Sequence, residues 1–159
     1  MKKLHNPFQS LPGYNCFGCS PENKIGLKLE FFDAGDEVVA WWKPRKDFEG
    51  WLDVVHGGIQ TTLMDELASW VIFVKRQSSG VTSHLDVSFL KPVHMSAGKV
   101  KVTGRIVKQE KRITTIHTQL YDGGGILCTE GNIDYFVFPE KVAKEKFYYQ
   151  GLESFYQNK

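Results

Sequence analysis

One stretch constrains this chain more than any other. Between residues 59 and 74, Ile59, Leu63, Leu67, Trp70 and Val74 recur at spacings of three and four, and Met64, Val71, Ile72 and Phe73 fill much of the remaining circumference. The periodicity predicts a helix, and a helix apolar on nearly every side has to be enclosed by the rest of the protein. No second segment of this kind occurs. The other periodic segments are β-prone: residues 27–32 and 37–43 flank the turn signal Asp33-Ala34-Gly35-Asp36. After Gly80, Leu85, Val87 and Phe89 alternate with His84, Asp86 and Ser88 until Lys91-Pro92 stops the run. Residues 98–109, 113–121 and 126–138 follow, joined by a Lys111-Arg112 turn and by Asp122-Gly123-Gly124-Gly125.

The order is therefore two strands, one buried helix and about four strands. Strands can enclose such a helix only by curling around it, so the expected class is α+β, an antiparallel sheet of about six strands wrapped on one long central helix. With 159 residues and 42% hydrophobic content, the chain supports one real core and not two ordinary ones. Residues 27–139 are expected to form that domain. Residues 1–26, rich in Pro, Gly and Asn, read as an irregular lead-in, and 140–159 as a partly helical surface tail.

A net charge of +2 marks no nucleic-acid binder, so any anion site has to be local. The start Met-Lys-Lys-Leu-His-Asn-Pro lacks the apolar run of a secretory signal, and no stretch approaches the roughly 20 apolar residues of a membrane span. The expectation is a cytoplasmic protein with no membrane or nucleic-acid partner. Cys16, Cys19 and Cys128 are an odd count that fits reduced thiols. Cys16-Phe17-Gly18-Cys19 has the spacing of half a zinc site, but no second Cys or His pair accompanies it. Its turn-rich flanks also differ from a redox helix start. It is read as a loop packed against the domain, with no metal.

Three features carry chemistry. His56-Gly57-Gly58 stands at the helix start, where open backbone N–H groups and the positive helix end can hold an oxyanion; a flexible entry turn has the same look. Asp65-Glu66 places two acids inside the apolar helix, where an unpaired carboxylate is costly. Thr61, Thr62, Ala68 and Ser69 leave room beside Asp65. Gly57 and Asp65 are eight positions apart, roughly 12 Å along a helix, too far to serve one reacting carbon. Two helices antiparallel across a two-fold axis would bring Gly57 of one chain to Asp65 of the other, so a catalytic site requires a homodimer. Thr82 and Ser83, placed just before the next strand, are hydroxyls able to orient a water or the carboxylate. Lys91, Lys99, Lys101, Arg105, Lys108, Lys111 and Arg112 are candidate phosphate contacts; a solvated strand face is the plainer reading of most of them.

Taken in order, Asn15-Cys16-Phe17-Gly18-Cys19, Ile25-Gly26-Leu27, His56-Gly57-Gly58-Ile59 with Leu63-Met64-Asp65, and Phe89-Leu90-Lys91-Pro92-Val93 resemble the PaaI-like branch of hotdog acyl-CoA thioesterases. The resemblance implies an oxyanion hole at His56, Gly57 and Gly58. It makes Asp65 rather than Glu66 the base or nucleophile, and Thr82, with Ser83 in reserve, the assisting hydroxyl. It also implies coenzyme A as the usual thioester carrier, an acyl-carrier protein offering the same pantetheine arm; the homodimer expected from the shared site is read as extending to a dimer of dimers, with dimer against tetramer left open by the sequence. No cofactor is needed, because a thiolate leaves readily. Some members carry an amide side chain before the His-Gly-Gly turn, where this chain has Gly50-Trp51-Leu52-Asp53. The competing expectation is a hotdog domain that binds acyl-CoA without cleaving it.

Overall fold

The computed structural model describes residues 1–156. Among these residues nine strands form, β1 Lys2–Lys3, β2 Glu30–Asp33, β3 Val38–Trp42, β4 Glu49–Trp51, β5 Val54–Val55, β6 Gly80–Phe89, β7 Val100–Glu110, β8 Ile113–Tyr121 and β9 Leu127–Val137. Two α-helices accompany them, α1 Gly57–Val71 and α2 Glu140–Lys146. Seven strands make one sheet in the order β1-β2-β3-β7-β8-β9-β6, every neighbour antiparallel, and β4 and β5 form a separate hairpin ahead of α1. The helix lies on one face of the large sheet, touching β3, β6, β7, β8 and β9. This is the hotdog arrangement, an antiparallel sheet around a single long helix.

Burial follows the periodicities. Leu63, Met64, Leu67, Ala68, Val71 and Ile72 are fully buried, and β8 alternates inward Thr114, Ile116, Thr118 and Leu120 with partly exposed neighbours. Gly104 in β7 lets the helix approach closely: a Cβ there would stand 3.1 Å from Leu67 Cδ2 and 3.4 Å from Val71 Cγ2. Trp70 stacks on Phe31 with centroids 4.0 Å apart and planes 7° from parallel, locking α1 to β2.

Several expected boundaries shift for identifiable reasons. The helix starts at Gly57, two residues before the expected Ile59, because the His56 side chain caps it. After Val71 the α-helix gives way to a wider π turn over Ile72–Arg76, which ends at Gln77 in the left-handed region, φ 51°. Residues 27–29 do not join β2: Lys28 has φ 58°, and the Leu27 and Leu29 amides donate instead to Phe17 O and Gly18 O. Thr82 and Ser83 lie inside β6 rather than before it. The lead-in is not wholly irregular, since Lys2–Lys3 add a short seventh strand beside β2.

The expected surface tail is corrected most clearly. Ala143, Tyr149 and Phe155 are buried, and Phe155 lies among Phe8, Trp70 and Phe73, at centroid distances of 5.9, 5.6 and 5.6 Å. His5 N donates to Phe155 O, so the lead-in and the segment around Phe155 close together over the C-terminal end of α1. Positions 157–159 of the expected tail fall outside the described residues. Phe155→Ala is expected to cost about 3–5 kcal/mol in urea denaturation, as for a core aromatic; a loss below about 0.5 kcal/mol would return the segment to the surface.

A second tie crosses the same end. Lys75 Nζ donates to Asp33 Oδ1 at 2.7 Å and to Gly35 O at 2.6 Å, and Tyr156 Oη donates to the other Asp33 oxygen. Burial alone would raise the Asp33 carboxyl, but hydrogen bonds from Lys75, Tyr156 and Gly35 outweigh it and hold it below the ordinary carboxylate range. Its ionised form is thus favoured by folding. That stability is full above the unfolded value near ~3.9 and is lost as pH falls through the lower folded value. The stability gap between the wild type and Asp33→Asn is expected to be widest near neutrality and to close on acidification, read from urea melts at stepped pH.

Candidate functional site

Asp65 sits in the middle of α1, partly buried and facing β6 and β9. Its Oδ1 accepts the Thr82 hydroxyl at 2.8 Å and lies 2.9 Å from the Tyr135 Oη, which is also 3.0 Å from the Asp65 backbone O. No protein donor among the described residues engages Oδ2. Burial, and then the Asp65 charge, hold the Tyr135 phenol above its ordinary range, so it remains a hydrogen-bond donor. Two hydroxyls thus fix one carboxylate oxygen and leave the other for a proton or a carbonyl carbon.

Tyr135 was not singled out from the sequence. Its signal was there: it alternates inward with Ile133 and Val137 on β9, and an inward phenol needs a polar partner. The choice between Thr82 and Ser83 is made by a bulge. Thr82 opposes Tyr135 and His84 opposes Asp134, so Ser83 is the extra residue, and its hydroxyl is used on Asp134 O at 3.1 Å. A bulge turns consecutive side chains in this manner. Thr82 takes the contact with Asp65.

At the helix start, His56 Nδ1 accepts the Gly58 amide at 2.9 Å, and His56 O accepts from Gln60 N. The Gly58 N–H is therefore occupied by the cap, while the Gly57 N–H has no partner among the described residues. The preceding hairpin is pinned by Asp53, which accepts Ser96 N and Oγ. Trp51 and Leu52 on it are 80% and 75% exposed, bare apolar surface beside the helix start. Eight positions of helix still separate Gly57 from Asp65, about 12 Å.

Glu66 points elsewhere, toward the N-terminal loop. Its Oε1 is 3.4 Å from Cys16 Sγ, and burial, then Cys16, push its carboxyl up to about 8. Hydrogen bonding from Cys19 holds the Cys16 thiol below its usual range against the effect of burial, while the Cys19 thiol, donating to Cys16, is raised. The expected packing of this loop on the domain is thus a contact with the acid next to Asp65.

The basic residues do not converge in one chain. Lys91 follows the Phe89 end of β6, whereas Lys111 and Arg112 form the β7–β8 turn, which the register places at the Gly80 end. Ten strand residues separate these ends, about 33 Å. Arg105 lies between them, aligned through His117 and Asn132 with Asp86. Arg112 rests over the Phe136 ring.

A carboxylate is thus held on the central helix of a hotdog, behind a glycine-rich helix start. The thioesterase superfamily sequence model matches residues 52–129, a span from the hairpin before α1 into β9. Over that span the chain is similar to the thioesterase superfamily. An uncharacterized protein of Schizosaccharomyces pombe is 29% identical over 117 residues, 70% of this chain and 66% of that protein, so the chain spans just under two thirds of that relative's length. A Bacillus halodurans protein solved with CoA is 27% identical, with TM-score 0.60, and 72% of this chain and 74% of that one are covered. A hypothetical thioesterase of Streptococcus pneumoniae solved with coenzyme A has TM-score 0.64 at 19% identity, covering 70% and 90%. A thioesterase of Haemophilus influenzae has TM-score 0.62 at 19% identity, covering 70% and 79%. No helix among the described residues is long and apolar enough to cross a membrane.

Tyr135→Phe removes a buried hydrogen bond to a charged acceptor and is expected to cost about 1.5–3 kcal/mol in urea denaturation. Thr82→Val, at an exposed position, is expected to cost less than about 1 kcal/mol. Equal losses would mean that the phenol does not hold the carboxylate.

Proposed function

We propose that this chain is an acyl-CoA thioesterase whose two equivalent sites are shared across a homodimer. The observation that carries the reading is Asp65, a carboxylate inside an apolar helix with one oxygen held by Thr82 and Tyr135 and the other without a protein donor. Acids are rarely placed in such surroundings for stability alone.

The thioester carbonyl oxygen accepts the Gly57 N–H at the positive end of one helix. Asp65 of the partner chain either takes a proton from an attacking water or attacks the carbon itself, giving an anhydride that water then opens. In both routes the carbon–sulfur bond breaks, the sulfur leaves as thiolate and is protonated, and the acyl group departs as a carboxylic acid. His56 holds the helix start through the Gly58 amide. The two CoA-bearing structural relatives support coenzyme A as the carrier.

The two-chain arrangement is supported by the sheet edge. β6 is the terminal strand, ten residues long, and Val81, Leu85, Phe89 and Leu90 on and just after it are 40–55% exposed. A long apolar edge is an aggregation hazard unless another strand covers it, and a second copy of β6 would do so while bringing the two helices side by side. Lys91 of one chain and Lys111 and Arg112 of the other would then lie toward the same end of the joined sheet, where they can meet the phosphates of a nucleotide handle.

The test is thiol release from short, medium, long and aryl acyl-CoAs, with light scattering on the same sample. Asp65→Asn is expected to lower kcat by about 10² or more, with Asp36→Asn on the exposed hairpin unchanged and a dimer in solution. A monomer that turns over would remove the shared site. Tight acyl-CoA binding with no turnover would make the protein a binding or sensing domain.

A further inference from the structure

The loop carrying Cys16 and Cys19 is fastened to the fold more firmly than its turn-rich sequence suggests. Leu27 N donates to Phe17 O at 2.7 Å and Leu29 N to Gly18 O at 3.0 Å, and Ser20 N closes the turn on Cys16 O. Asn6 Nδ2 reaches Cys19 O. Gly18 presses directly on Glu66: a Cβ there would stand 2.5 Å from Glu66 Cδ and 2.6 Å from Oε2, so only glycine permits this approach.

The result is a knot of donor atoms. Cys19 N donates to Cys16 Sγ at 3.3 Å, the two sulfurs are 2.9 Å apart, and Tyr14 Oη is 2.8 Å from Cys19 Sγ. One ligand atom each from Cys16, Cys19 and Glu66 falls within 4.8 Å of the others. No Lys or Arg among the described residues forms an ion pair with Glu66. The backbone N–H aimed at the Cys16 sulfur favours a thiolate there, and the other two donor groups, Cys19 and Glu66, are close enough to converge on one cation with it.

We propose that Cys16, Cys19 and Glu66 form a binding site for a soft divalent metal ion of the zinc class. Two sulfurs select against calcium and magnesium, and three ligands are too few for an iron–sulfur cluster. Binding displaces the protons held by the thiols and by Glu66 to solvent and forms two metal–sulfur bonds and one metal–oxygen bond. It needs small side-chain rotations, because sulfurs on a common tetrahedral ion stand farther apart than 2.9 Å, by geometry nearer ~3.7 Å for a metal–sulfur bond of ~2.3 Å. The fourth position faces an apolar cavity of about 340 Å³ bordered by Leu11, Ser69, Phe73 and Tyr148, and takes water or a small thiol or carboxylate ligand. The Cys-x-x-Cys spacing alone offered half a site; Glu66, fifty residues onward, supplies the third ligand.

The experiment is an anaerobic titration of the reduced, chelator-stripped full-length protein with cobalt(II). One equivalent is expected to raise thiolate-to-cobalt charge-transfer absorption and the intense visible bands of four-coordinate cobalt, and zinc(II) is expected to bleach both. Cys16→Ser should abolish the two-thiolate signal, Glu66→Gln should weaken affinity by about tenfold or more, and Cys128→Ser should change nothing. Circular dichroism of each variant separates lost ligands from lost folding, and the wild-type spectrum stands without them. Absence of charge transfer in the wild type, or the same spectrum in a folded Cys16→Ser, would overturn the site. Refusal of cobalt together with loss of two thiols to a mild oxidant would overturn it in favour of a reversible disulfide. None of these readings depends on thioester cleavage.

Discussion

Two adjacent carboxylates on a helix that the rest of the chain encloses are the constraint around which this structure is arranged. Consecutive helix residues point about 100° apart, so Asp65 and Glu66 cannot share a partner, and each side of α1 must supply its own. Toward the sheet, Asp65 meets hydroxyls from β6 and β9. Toward the N-terminal segment, Glu66 meets the Cys16–Cys19 loop. Both arrangements answer the desolvation cost, and they leave different residues: one a carboxylate with an oxygen to spare, the other a carboxyl kept near its protonated form among thiols.

The periodic elements were legible in the sequence because they depend on local pattern. The helix, the β7–β8–β9 succession and the three hairpin turns fall within a few residues of their expected places. The failures are all non-local. Leu27 and Leu29 alternate like a strand but bond to the Cys loop. Tyr149 and Phe155 look like the aromatic content of a surface tail until Phe8 and Phe73 arrive from distant parts of the chain, while Phe147 stays exposed on Phe138. For the site, Asp65 and the helix start were readable because an acid in an apolar helix is anomalous by itself. Tyr135 was not, because a tyrosine in a strand is ordinary until the register sets it against Thr82.

The bulge in β6 shows how much turns on one residue of register. Without the extra residue, the strand beyond it would present the opposite set of side chains to α1, and the long apolar edge would change faces with it. The bulge thus serves both roles of β6: Thr82 is set toward Asp65, and Ser83 is tied back to β9.

The same strand explains why the chemistry proposed here belongs to an assembly. Asp65 and the Gly57 amide are both presented by α1, and a rigid helix holds them about 12 Å apart in every conformation the chain can take. Flexibility therefore cannot complete the site; only a second helix can. Thr82 is exposed in the single chain while hydrogen-bonded to Asp65, so the side of the carboxylate left open is the side of the uncovered edge. In the proposed homodimer, covering that edge with a second β6 would remove the hazard of an exposed strand and close the site with one contact, so that fold stability and catalysis would depend on the same interface.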